Sequence, residues 1–145
     1  MNNIEMAKDY IVQAEERIYH ARKALKKGSY PYVIRQSQEA SELALKASLR
    51  LIGIEPPKIH DVGPILKQYK HKYPQWFQQI IPELARISRK LRREREPAMY
   101  GDEESGTPPS ALYDEKDAKD ALKNAKYILN NVKKLFTEHL KTTQT

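Results

Sequence analysis

From Ile4 onward, apolar residues recur at Ala7, Ile11, Ala14, Ile18, Ala21 and Leu25. Alternating steps of three and four keep them on one stripe of an α-helix. Glu15, Glu16, Arg17, Arg22, Lys26 and Lys27 lie largely off that stripe. Gly28 suits the left-handed residue that closes a helix, so the spacing predicts a helix over residues 3–27. Ser29, Tyr30 and Pro31 form a short turn, with proline favoured in a first helical turn. In the next segment Ile34, Ser37, Ser41, Ala44, Ser48 and Leu51 form one row, and Ala40, Leu43, Ala47 and Leu51 another. Leu45, Leu49 and Ile52 add a third strip. A helix apolar on so many faces sits centrally, or also packs at an interface between copies. Gly53, Pro56 and Pro57 end it.

Asp61 is a candidate N-cap, with Pro64 in the first turn of a short helix over about 62–71. Tyr73-Pro74 breaks the chain, and Gln75 to Arg95 reads as helix through Phe77, Ile80, Ile81, Leu84, Ile87 and Leu91. Pro82 predicts a start or kink within it. Residues 97–113 carry three prolines, two glycines and an acidic cluster, and form the longest stretch without periodicity. A loop that long in a compact domain is usually functional or mobile. Asp114 can cap a last helix, striped by Ala118, Ala121, Leu122, Ala125, Ile128, Leu129, Val132, Leu135 and Phe136, to about residue 139. The expected fold is all-α, an up-and-down bundle of four long helices plus one short helix. One domain spans 1–145, with its core at about 3–139 and a frayed polar tail at 140–145.

The length of 145 residues fits one core, not two. The net charge of +7 favours polyanionic partners such as RNA or nucleotides. Cysteine is absent, which excludes disulfides, thiolate catalysis and cysteine-based zinc sites. The first residues are acidic and lack an apolar core, unlike a signal peptide. No apolar run approaches the ~18 residues of a membrane helix. These features point to a cytoplasmic protein with no membrane partner. Glycine-rich phosphate loops are missing. His20, His60, His71 and His139 lack metal-ligand spacing, and Asp102, Glu103 and Glu104 are consecutive. Neither metal nor cofactor is expected.

The candidate chemistry lies at the end of the fourth predicted element. Between Arg86 and Arg95 there are six basic residues (Arg86, Arg89, Lys90, Arg92, Arg93 and Arg95) against one acid, Glu94. Arg86, Arg89 or Lys90, and Arg93 share a face, while Leu84, Ile87 and Leu91 point to the core. Such a face is either a solvated surface whose cations suit a helix C-terminus or a phosphate-binding surface of forked guanidinium donors. Tyr100 beside it can stack on a base or donate to a phosphate.

The stretch QSQEASELALKASLRLIGIEPPKIHDVGPIL, the arginine-rich helix ending in REPAMYGD and the last Ala/Leu-rich helix resemble the HEPN family (higher eukaryotes and prokaryotes nucleotide-binding domain), from about Met6 to Leu135. The resemblance implies a helical bundle that forms homodimers. It also implies kinship with metal-independent ribonucleases, many of them toxins paired with a minimal nucleotidyltransferase. Their motif is Arg, four to six residues, then His, and two motifs face each other across the dimer. This sequence departs from that motif. Arg95 after four intervening residues, or Arg93 after six, leads to Tyr100 instead. A histidine exchanges protons near neutral pH, whereas a tyrosine stays protonated and is a poor base.

By the same resemblance, Glu42 matches a recurrent acidic position that either orients the motif arginine or forms an ordinary ion pair. His60 matches a histidine of the connector, as a helix-start residue or a catalyst. Asp102 belongs to the matched end of the basic helix, and Arg35 is a neighbour that no spacing requires. Three functions follow as expectations. The first is a homodimer binding nucleotide or RNA phosphates in a basic cleft, partnered with a minimal nucleotidyltransferase. The second is an active ribonuclease toxin using Arg93 or Arg95 with Tyr100, gated by the 97–113 loop. The third is a helical scaffold without ligand. In some family pairs the transferase silences its partner by adding nucleotides to a tyrosine, and Tyr100, then Tyr113, is the matching candidate.

Overall fold

The structure is a computed structural model that describes residues 2–143. Its elements are α1 (Asn3–Lys27), α2 (Tyr30–Leu51), α3 (Gly63–Gln68), α4 (Gln75–Tyr100), α5 (Pro109–Leu112) and α6 (Glu115–Thr143). A 3₁₀ turn, Lys70–Lys72, follows α3. Among the described residues there is no β-strand, only one isolated bridge between Asp102 and Thr107. The expected all-α bundle of four long helices is present. No helix among the described residues is long and apolar enough to cross a membrane.

Helix α1 keeps its predicted bounds. The Asn2 side chain accepts from the Glu5 N–H at 3.1 Å, and Gly28 closes the helix at φ 79°. Ala7, Ala14, Ala21 and Ala24 are buried along its stripe, facing a run of small residues (Ala40, Ala44 and Ala47) on α2. Small side chains let two backbones approach closely. Helix α2 is the central element and packs on α1, α4 and α6, which is why its apolar positions spread over several faces.

Four boundaries differ from expectation. The helix expected over 62–71 stops at Gln68, and the chain hooks through the 3₁₀ turn. This turn delivers Tyr73 into the core, where its hydroxyl meets Ser48 Oγ at 3.0 Å. Asp61 does cap α3, one residue early, by accepting the Gly63 N–H at 3.2 Å and the Ser88 hydroxyl at 2.8 Å. Helix α4 does not end before Pro97 but runs through Pro82 and Pro97 to Tyr100. A proline so near a C-terminus removes only one donor, and few helical bonds remain beyond it to lose.

Residues 97–113 are therefore not one irregular loop. They contain the last turn of α4, a tight turn closed by two Asp102–Thr107 backbone hydrogen bonds (2.9 and 3.0 Å), and the single-turn helix α5. Gly101 makes the turn possible. Its φ is 77°, and a Cβ there would stand 2.2 Å from the Thr107 carbonyl oxygen. Asp114 caps α6 as expected. Its carboxylate accepts the Asp117 N–H at 2.9 Å, and Asp117 accepts the Asp114 N–H at 3.0 Å. Helix α6 continues past residue 139 to Thr143. Gln144 and Thr145, the end of the expected tail, lie outside the described residues.

Candidate functional site

Helix geometry divides the basic residues of α4 into two groups. Arg93 and Tyr100 are seven positions apart, close to two full turns, so they share a face; Arg95 and Tyr100 do not. Arg86, Arg89, Lys90, Arg93 and Tyr100 are all exposed, Tyr100 at 60%. Arg86 is bound by Glu83, Nε to carboxylate at 2.9 Å, and Arg92 by Glu96 at 2.6 Å. Arg89, Lys90 and Arg93 make no ion pair among the described residues. They form a free, solvated basic stripe.

Arg95 turns the other way, toward α2, with its side chain only 17% exposed. Its Nη1 donates to Gln38 Oε1. Gln38 is buried and donates from Nε2 to Glu42 Oε1 at 3.0 Å. The amide orientation follows from its neighbours, since a guanidinium only donates and a carboxylate only accepts. Glu42 Oε1 also receives His60 Nδ1 at 2.8 Å, and its Oε2 receives Lys46 Nζ at 2.9 Å. Beside this chain, Glu39 holds Arg17 at 3.0 Å and Arg35 at 3.1 Å. The Arg35 Nη1 braces α4 by donating to the Arg95 carbonyl at 2.9 Å.

Arg17, Glu39, Glu42, Leu43 and Arg95 line a cleft of about 200 Å³. Four cations (Arg17, Arg35, Lys46 and Arg95) stand here against two carboxylates, Glu39 and Glu42. Burial pushes the Glu42 carboxyl up. Hydrogen bonds from Gln38, Lys46 and His60, with the Lys46 charge, outweigh that and hold it below its ordinary range. Glu42 is thus an anion at neutral pH. With Nδ1 committed to that anion, the neutral His60 ring carries its lone pair on Nε2. His60 is 41% exposed in its side chain, and no hydrogen bond within the described residues engages Nε2.

The structure therefore joins Arg95, Glu42, His60 and Arg35, and leaves Arg86, Arg89, Lys90, Arg93 and Tyr100 on a separate face. Asp102 joins neither group, since its carboxylate accepts the Glu104 and Ser105 N–H groups (3.1 and 3.4 Å) and shapes the turn. Sequence reasoning missed Arg17, Gln38, Glu39 and Lys46. A signal for three of them was present. Arg35, Gln38, Glu39, Glu42 and Lys46 follow steps of three and four, a polar row through an otherwise apolar helix.

A second cavity, about 240 Å³, lies under α5 among Ile34, Leu91, Glu94, Tyr113 and Asp117. Burial, the hydrogen bond to Glu94, and the Glu94 and Asp117 charges push the Tyr113 hydroxyl well above its ordinary value. It remains a neutral donor to Glu94. No cluster of three or more metal-ligating side chains exists among the described residues.

A family model described as HEPN domain matches residues 7–135. The chain is 30% identical over 142 residues to a protein of Methanocaldococcus jannaschii described as "Putative toxin MJ1304", covering 94% of this chain and 91% of that one. Among solved structures it resembles TT1696 from Thermus thermophilus, with a TM-score of 0.75, 26% identity and coverage of 92% and 98% of the two chains. It also resembles ST0689, described as an archaeal HEPN homologue, with a TM-score of 0.65, 27% identity and coverage of 90% and 97%.

Proposed function

Because the chain belongs to the HEPN domain family, we propose that it grips the phosphates of RNA or a nucleotide in the cleft around Arg95. The stripe of Arg89, Lys90 and Arg93 extends the contact along α4. The observation that carries this reading is the half-buried Arg95, positioned by Gln38 within a local excess of cations. Guanidinium groups held in place before a ligand arrives lose little freedom on binding and act in a reduced dielectric. The likeness to a protein described as "Putative toxin MJ1304" supports placing the chain in a toxin pair. We extend the proposal to a homodimer that brings two such clefts together, with a minimal nucleotidyltransferase as partner. The exposed Tyr100 suits modification by that partner better than Tyr113, whose hydroxyl is already bound to Glu94.

Cleavage with Tyr100 as the base has less support. Its hydroxyl has no hydrogen-bond partner among the described residues to draw off the proton. The binding proposal is tested by fluorescence titration with a single-stranded RNA oligonucleotide across a range of salt. Affinity should fall with salt, and Arg95→Ala should weaken it by about tenfold or more, as for removal of a charge-assisted hydrogen bond. Salt-insensitive binding, no binding, or an Arg95→Ala protein that binds as wild type would leave the helical scaffold as the better account.

A further inference from the structure

His60 is the one histidine that the fold joins to the Arg95 network. It comes from the connector before α3, far in sequence from the slot after the arginines. Its Nδ1 is held by Glu42 at 2.8 Å, and Glu42 is itself fixed by Gln38 and Lys46. Glu42 and Arg95 line the same cleft. The Glu96 carboxylate, held low first by the Arg92 hydrogen bond, also senses the charges of Arg95 and His60, so His60 lies against the end of α4. A carboxylate on one imidazole nitrogen and open solvent at the other is the arrangement by which a histidine serves as a general base.

We propose that His60 supplies the proton-accepting group that Tyr100 cannot, and that the domain cleaves single-stranded RNA through it. The inference rests on the phosphate-binding reading, because Arg95 must hold the reacting phosphodiester. His60 Nε2 takes the proton of the ribose 2′-hydroxyl as that oxygen bonds to phosphorus. The bond from phosphorus to the 5′-oxygen breaks, and the departing oxygen takes a proton from water. The imidazolium then returns its proton to solvent. The products are a 2′,3′-cyclic phosphate and a 5′-hydroxyl, with nothing oxidised or reduced. Glu42 is a positioning residue that fixes the tautomer and stabilises the imidazolium. Arg95 neutralises charge developing on the phosphate oxygens.

The test uses the full chain, one single-stranded RNA oligonucleotide and a chelator, with binding and cleavage measured on the same samples. Wild type is expected to yield cyclic-phosphate ends by mass spectrometry. His60→Asn keeps a donor for Glu42 but no base, and should slow cleavage by about 10²–10⁴-fold while affinity stays within about twofold. Added imidazole should restore cleavage to His60→Ala, which a structural role for the ring would not allow. Glu42→Gln should slow cleavage by about tenfold or more and change the ring ¹⁵N shifts of His60, reporting disappearance of the single tautomer. Wild type that binds RNA but leaves it intact, or His60→Asn that cleaves at the wild-type rate, overturns this inference and spares the binding reading. Absence of binding overturns both.

Discussion

Arg93 and Arg95 are two positions apart on α4, yet one stands in water and the other is packed against α2. Arg93 is one of a row of solvated cations with no ion-pair partner among the described residues. Arg95 is bound to a buried amide, which is bound to a carboxylate, which holds a histidine. The stripe attracts an anion from a distance and is screened by salt. The cluster holds its groups in one geometry, at the expense of desolvating them. Charge alone therefore does not distinguish a surface that steers a ligand from a site that grips one. The distinction lies in what each cation is anchored to.

The sharpest way to break this contrast is to remove the anchored cation. Arg95→Ala should destabilise the fold by about 1–3 kcal/mol, because Gln38 Oε1 would be left buried without a donor. Chemical denaturation measures it, and a midpoint equal to wild type would place Arg95 with the stripe. Glu42→Gln gives the next effect, about 1–2 kcal/mol at neutral pH for hydrogen bonds to a charged group. The Glu42 carboxyl is lowered from 4.5 in the folded state. Its contribution is therefore full above 4.5 and fades as pH falls through the lower folded value. The stability gap between wild type and Glu42→Gln should accordingly close in acid; a gap that widens there would contradict the assignment. Smallest is the stripe. Arg89→Ala combined with Arg93→Ala should leave stability within about 0.5 kcal/mol. The slope of RNA affinity against salt should drop by about one for each phosphate that the variant no longer neutralises.

The sequence makes the long helices legible because each carries a repeat of three and four that the core needs. Gly28 and the Asp114 cap mark ends whose signals are local. Pro97 misleads about the end of α4 because a proline weakens a helix only by its own missing donor and its ring, and the last turn tolerates both. The 97–113 stretch shows no period, yet it is folded by a two-bond bridge and a glycine. In the site, the residue types were visible and their grouping was not. Gln38 and Arg95 are 57 residues apart, and Glu42 and His60 are 18 apart. Which of two neighbouring arginines faces α2 depends on how α4 is rotated against that helix. Spacing along one chain segment does not contain that rotation.

Gln38 has a consequence for how this surface can change over generations. A buried amide that shows oxygen to Arg95 and nitrogen to Glu42 has a direction, and that direction is set at both ends. Replacing any one of the three leaves a polar group of another without its mate. Exchanging the arginine and the glutamate would demand that the amide flip and that His60 lose its acceptor. Drift in this neighbourhood should therefore come in coordinated steps, with positions 38, 42, 60 and 95 changing together or not at all, while the stripe on the far side of α4 trades its cations one by one.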